Sequence, residues 1–141
     1  MHRVRIDNDI YYDAHAHKFG LYSECNHKHV RIVHPLTDSM KYRVDEGIAL
    51  LLQRLWSYNY ETTRSCQGDD GGNVSIEFIH ESFNHFIERS YARGNEELLK
   101  FMSDKCDTST TWTIDRDGGV RHCVVMTFVP ADVDTLFGLI T

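Results

Sequence analysis

The residues best equipped for chemistry lie in the run Tyr60 to Asn73, Tyr-Glu-Thr-Thr-Arg-Ser-Cys-Gln-Gly-Asp-Asp-Gly-Gly-Asn. Arg64, Ser65, Cys66, Gln67, Gly68, Asp69 and Asp70 gather a guanidinium, a hydroxyl, a thiol, an amide and two carboxylates at one predicted turn. Donors of this kind, beside glycines that open backbone N–H groups to a ligand, make an anion or nucleotide cradle. The aspartates suit a ribose or base donor, or a hard cation held through water. Cys66 is a nucleophile if a histidine takes its proton, as in cysteine hydrolases and some transferases. Gly and Asp are also what an ordinary tight hairpin uses. Neither a Walker loop nor a dinucleotide fingerprint is present.

The second constellation is N-terminal. Asp13-Ala14-His15-Ala16-His17 and Cys25-Asn26-His27-Lys28-His29 each carry a His-x-His pair. Positions i and i+2 of a strand share a face, so each pair can turn two imidazoles toward one metal. His15, His17, Cys25, His27 and His29 are therefore the metal-ligand candidates, and their His/Cys character favours zinc. The spacing is not that of a zinc finger, and surface histidines are often merely solvated. Asp13 to His17 resembles the metal-binding strand of the amidohydrolase family, but that fold needs a barrel of about 250 residues. This chain has 141.

These groups must be positioned by one domain spanning 1–141, a length that buries a real core without staples. The apolar fraction of 41%, the charged fraction of 26% and only two prolines argue against bulk disorder. A formal charge of −6 argues against a non-specific nucleic-acid or membrane-surface binder, which needs a basic face, though it leaves room for a local basic patch. With no apolar run long enough to span a bilayer and no signal-peptide core at the N-terminus, a cytoplasmic location is expected. There Cys25, Cys66, Cys106 and Cys123 are reduced thiols.

Ile48, Leu51, Leu52, Leu55 and Trp56 follow one helical face, with Asp45 suited to the N-cap and Asn59 to a left-handed terminus. Tyr60 to Cys66 and Val74 to Ile79 read as strands of an antiparallel hairpin. A second helix from near Ser82 carries Phe83, Phe86, Ile87 and Tyr91 inward. Gly94-Asn95 interrupts it, and Asn95 can cap a further helical stretch with Leu98, Leu99 and Met102. Trp112 to Ile114, a turn at Asp115 to Gly119, and Val120 to Val129 form a second hairpin. Pro130 opens a short terminal helix with Val133, Leu136, Phe137 and Ile140. Upstream, Arg3 to Ile6 and His27 to Val33 alternate like strands, and Leu36 to Arg43 reads as a loop. The fold expected is α+β, a mainly antiparallel sheet of two hairpins covered by helices in the order helix, hairpin, helix, hairpin, helix.

From Leu51 to Phe78 the runs Leu-Leu-Gln-Arg-Leu-Trp, Glu-Thr-Thr-Arg-Ser-Cys-Gln-Gly and Val-Ser-Ile-Glu-Phe resemble small proteins of bacteria and their phages. In those a helix leads into a strand ending Ser-Cys-Gln-Gly, and the resemblance implies a bacterial or phage origin. The same stretch is similar to the wybutosine-synthesising tRNA methyltransferase family, whose strand ends Thr-Ser-Ser-Cys-Ser-Gly. That likeness implies S-adenosylmethionine and tRNA, but Arg64 and Gln67 depart from the pattern and the acidic charge opposes tRNA.

The leading expectation is a small interaction protein whose Ser65–Asn73 turn contacts a nucleotide-like ligand or a partner protein. The alternatives are a metal-dependent hydrolase built on the histidine pairs, a Cys66-dependent transferase, and an acidic inhibitor of a nucleic-acid-binding host or defence protein.

Overall fold

The computed structural model of the chain describes residues 29–33, 41–68, 72–114 and 118–141. Strands β1 (His29–Val33) and β2 (Lys41–Asp45) pair antiparallel as a two-stranded sheet. A single 3-10 turn, Glu46–Ile48, leads into helix α1 (Ala49–Ser57). Then come β3 (Thr62–Cys66), β4 (Val74–Ile79), α2 (His80–Ala92), α3 (Glu96–Asp104), β5 (Asp107–Ile114) and β6 (Val120–Phe128). A 3-10 turn at Pro130–Asp132 opens α4 (Val133–Leu139). The expected α+β architecture is what the chain adopts, with four helices and a four-stranded antiparallel sheet in the order β3-β4-β6-β5 among the described residues.

α1 forms where the apolar spacing demands it. Ile48, Leu51, Leu52, Leu55 and Trp56 are all buried, whereas Leu50, off that face, is 70% exposed. Asn59 ends the helix with φ 67°, the left-handed conformation that asparagine tolerates better than most residues. The Arg54 Nε–H donates to the Ile140 carbonyl at 3.0 Å and its guanidinium lies over Phe137, so α1 also fastens the C-terminus.

The sheet presents Val74, Ile76 and Phe78 from β4, and Val124, Met126 and Phe128 from β6, to the helices. Phe78 stacks on Phe86 of α2 at 5.9 Å and meets Phe83 edge-on at 5.5 Å. Phe101 of α3 meets Phe128 edge-on at 6.1 Å. Aromatic pairs in these geometries add to the stabilisation from area burial alone. On the opposite face of the sheet Glu77 and Cys123 are also buried.

Several expectations are corrected in detail. Lys41–Arg43, read as loop, belongs to β2, because Tyr42 and Val44 alternate with Arg43 and Asp45 and β1 supplies the pairing partner. Open in the sequence between one bent helix and two, the stretch is two, since Gly94 at φ 68° breaks the chain, and Asn95 caps the second as its position suggests, accepting from the Leu98 N–H at 3.2 Å. Tyr91 points outward at 76% exposed, and Ser90 takes the inner position, its hydroxyl donating to the Phe86 carbonyl. β5 begins at Asp107, five residues before the strand expected at Trp112. The strand expected over Arg3 to Ile6 lies outside the described residues.

Leu52→Ala should cost about 2–5 kcal/mol in denaturant unfolding, because it empties a fully buried site. Leu50→Ala, one helical position away in angle from water-facing neighbours, should stay within about 0.5 kcal/mol of the parent.

Candidate functional site

The Ser65-Cys66-Gln67-Gly68 corner sits where β3 leaves the sheet, beside the junction of β2 and α1. Its groups are engaged largely with their own chain. The Gln67 backbone N–H donates to Asp45 Oδ2 at 2.8 Å, and the Gln67 side-chain oxygen accepts from the Gly47 N–H at 2.7 Å. Asp45 is fully buried and makes no side-chain cap bond at the 3-10 turn, so the expected N-cap is instead a clasp on β3. A carboxylate accepting a backbone N–H is a charge-assisted bond, stronger than its neutral equivalent. Gly47 is needed in this arrangement, since a Cβ there would stand 2.5 Å from Gln67 Oε1.

Gly68 has φ 91°, and a Cβ on it would lie 2.7 Å from the Gly72 carbonyl oxygen and 2.9 Å from that of Asn73. The two arms of the turn therefore touch through this glycine. The oxygens nearest that position are backbone carbonyls, which repel an anion. The Gly68 N–H points to Cys66 Sγ at 3.4 Å. Ser65 is buried on the helical side of β3, across from Ile76.

Arg64 and Glu77 are cross-strand partners, with Arg64 Nε 3.7 Å from Glu77 Oε1. The Thr63 hydroxyl donates to the same carboxylate oxygen at 2.6 Å. The register shift between Thr62 and Arg64 is what lets consecutive residues reach one acid. Glu77 is 5% exposed, and burial of a carboxylate requires this pairing. Asp69 and Asp70 lie outside the described residues.

The metal candidates His15, His17, Cys25 and His27 also lie outside the described residues, and of His29 only the backbone, at the start of β1, is described. Among the described residues no group of three or more His, Cys, Asp or Glu is placed to hold a metal ion. No helix among them is long and apolar enough to cross a membrane. Cys66, Cys106 and Cys123 are thiols, not disulfides. A shallow groove of about 350 Å³ between α3 and α4 is lined by Lys100, Phe101, Asp104, Lys105, Thr135 and Leu139 with Glu97, and it contains no cysteine or histidine.

The hairpin of β5 and β6 holds a feature that the sequence reading passed over. Trp112 stacks on its cross-strand partner His122 at 4.7 Å, and His122 stacks on His80 of α2 at 4.5 Å. Trp112 remains 67% exposed, and the neighbouring pair Ile114 and Val120 are 58% and 63% exposed. Alternation puts Trp112 and Ile114 on one face with His122 and Val120. His122 lies on the same face as the core residues Val124 and Met126, so its ring continues the apolar layer out to the hairpin end, while buried Cys123 faces the other way. The readable signal was Thr-Ser-Thr-Thr-Trp-Thr-Ile, seven residues without a charge.

No protein-family model, curated protein or solved structure matches this chain. The class is accordingly set by the fold itself, a small α+β sheet-and-helix domain.

Two outcomes test this geometry. Gln67→Ala should destabilise by about 0.5–1.5 kcal/mol. Gly47→Ala should cost less in the Gln67→Ala background than alone, a non-additivity that a double-mutant cycle on unfolding free energies reads directly.

A third outcome concerns alkaline pH. Burial, and then the nearby carboxylates of Asp132 and Asp107, push the Cys106 thiol from 9.0 up to about 12. Burial also raises Tyr60 above 10.0, opposed by Arg89. A group whose folded pKa is raised keeps its protons longer in the folded state, so its contribution is whole below the unfolded pKa and is lost as pH rises through the folded one. Thermal stability should therefore fall between about pH 9 and 12. Cys106→Ala should flatten part of that decline, and Cys106 should alkylate slowly in the native protein.

Proposed function

We propose that this chain is a small interaction protein that engages another polypeptide through the β5–β6 hairpin. The observation that carries the reading is the contiguous exposure of Trp112, Ile114 and Val120 on one face of a single hairpin. Large apolar side chains clustered in water mark contact surfaces, whereas scattered ones do not. Aromatic anchors dominate interface energetics, and an anchor already held by its neighbours loses little side-chain freedom on binding. The His80–His122–Trp112 stack holds the tryptophan in that way.

The Ser65–Asn73 turn is the competing contact site for a nucleotide-like ligand or partner. Gln67 serves the clasp, its backbone N–H donating to Asp45 and its side-chain oxygen accepting from the Gly47 N–H, which supports a structural role for it. The acidic-inhibitor reading draws on charge, and the exposed hairpin patch is neutral apart from its histidines.

A photo-crosslinking residue placed at Ile114, compared with one at the exposed Asn73, separates the two sites in the expressing cell. A defined polypeptide adduct from position 114 that Trp112→Ala diminishes is the expected result. Adducts from position 73 alone would move the contact to the turn and overturn the hairpin reading.

A further inference from the structure

We propose that the outer edge of β5 pairs antiparallel with the same edge of a second copy of this chain, fusing two four-stranded sheets into one continuous sheet. The proposal rests on the hairpin reading and names its partner.

The two edges of the sheet are treated differently. β3, at one edge, carries a register irregularity and the charged Arg64, and its end is clasped by Asp45. Irregularities, charges and covering contacts are the means by which proteins keep edge strands from pairing with other chains. Among the described residues β5, at the other edge, has no irregularity and no covering strand, and its one charge is Asp107 at its first position. It runs eight residues from Asp107 to Ile114, in unbroken register with β6. Thr108 to Ile114 contain no charge, proline or glycine. Among the described residues no strand pairs with its outer side, and Thr108, Ser109, Thr110, Trp112 and Ile114 are exposed. A row of outward N–H and C=O groups on a long, regular, uncharged strand is a template for strand addition.

The occupant follows from what the edge offers. A charged peptide finds no counter-charge along Thr108 to Ile114. A neutral strand of β-branched and aromatic residues fits best, and β5 is itself such a strand. Antiparallel pairing about a two-fold axis is self-complementary, which is the commonest form of oligomer interface. Centred on Trp112, it sets that tryptophan against its counterpart and Thr110 against Ile114, with Asp107, Thr108 and Ser109 beyond the paired segment. Directly opposed residues share a face, so the Trp112, Ile114 and Val120 patches of both copies meet on the same side of the joined sheet. Each would then cover surface that the other exposes.

The test is sedimentation velocity on the full chain over a concentration series, with hydrogen exchange read on β5. Wild type is expected to form a dimer, with Thr110 to Ile114 gaining protection as concentration rises. Thr110→Lys, a charge on an exposed edge position, should weaken the dimer about tenfold or more while leaving the circular dichroism unchanged. Thr110→Val should remain dimeric. A wild type that stays monomeric at its highest soluble concentration overturns the proposal, and so does a dimer indifferent to Thr110→Lys. A monomer whose position 114 still crosslinks to a different polypeptide overturns the second copy as partner but keeps the hairpin reading. A monomer with no adduct at 114 removes both.

Discussion

The structure depends on covering one apolar sheet face. Val74, Ile76, Phe78, Val124, Met126 and Phe128 lie side by side on β4 and β6, and among the described residues it is chiefly the helices that take them out of water. α1 supplies Leu51, Leu52 and Leu55, α2 supplies Phe86, and α3 and α4 supply Leu98, Phe101 and Leu136. Hydrophobic burial is non-directional, so the finer order comes from directional contacts placed around it. Trp56 Nε1–H donates to Thr62 Oγ1 at 2.9 Å and the Glu61 N–H to Ser82 Oγ at 3.0 Å, pinning the entry of β3 against α1 and α2.

With the core face satisfied, what distinguishes this molecule lies at the sheet edges. At the β3 edge, polar groups that resemble a binding cradle are spent on tertiary contacts. Asp45 and Gln67 join the two-stranded sheet to the four-stranded one, and Glu77 collects Thr63 and Arg64. Buried polar atoms must find partners, and here the partners are the very residues whose types suggest chemistry. At the β5 edge the side chains from Thr108 to Ile114 are neutral and the aromatic stack ends in water. The polar groups of reactive type and the exposed apolar area are therefore at opposite edges of the sheet.

Much of the fold was legible in local pattern. The α1 face, the β4 alternation, the Asn59 terminus and the Asn95 cap each depend on residues within about two helical turns of one another, where period and cap chemistry operate. The candidate site was legible only as a list of reactive types. Whether Gln67 meets a ligand or Gly47 is decided by a contact across 20 positions, and that of Asp45 with Gln67 spans 22. No periodicity encodes such pairs.

The sequence by itself determined where the helices and hairpins form, because backbone propensity and apolar spacing act over neighbouring residues. Only the tertiary structure decided that the hairpins join through β4 and β6, which leaves β3 and β5 as the edges. Strand pairing is a long-range choice made by whichever arrangement buries the shared face most completely. That choice turned Arg64, Ser65 and Gln67 inward to structural partners, and left Trp112 and Ile114, which look like core residues in the sequence, facing water at the hairpin end.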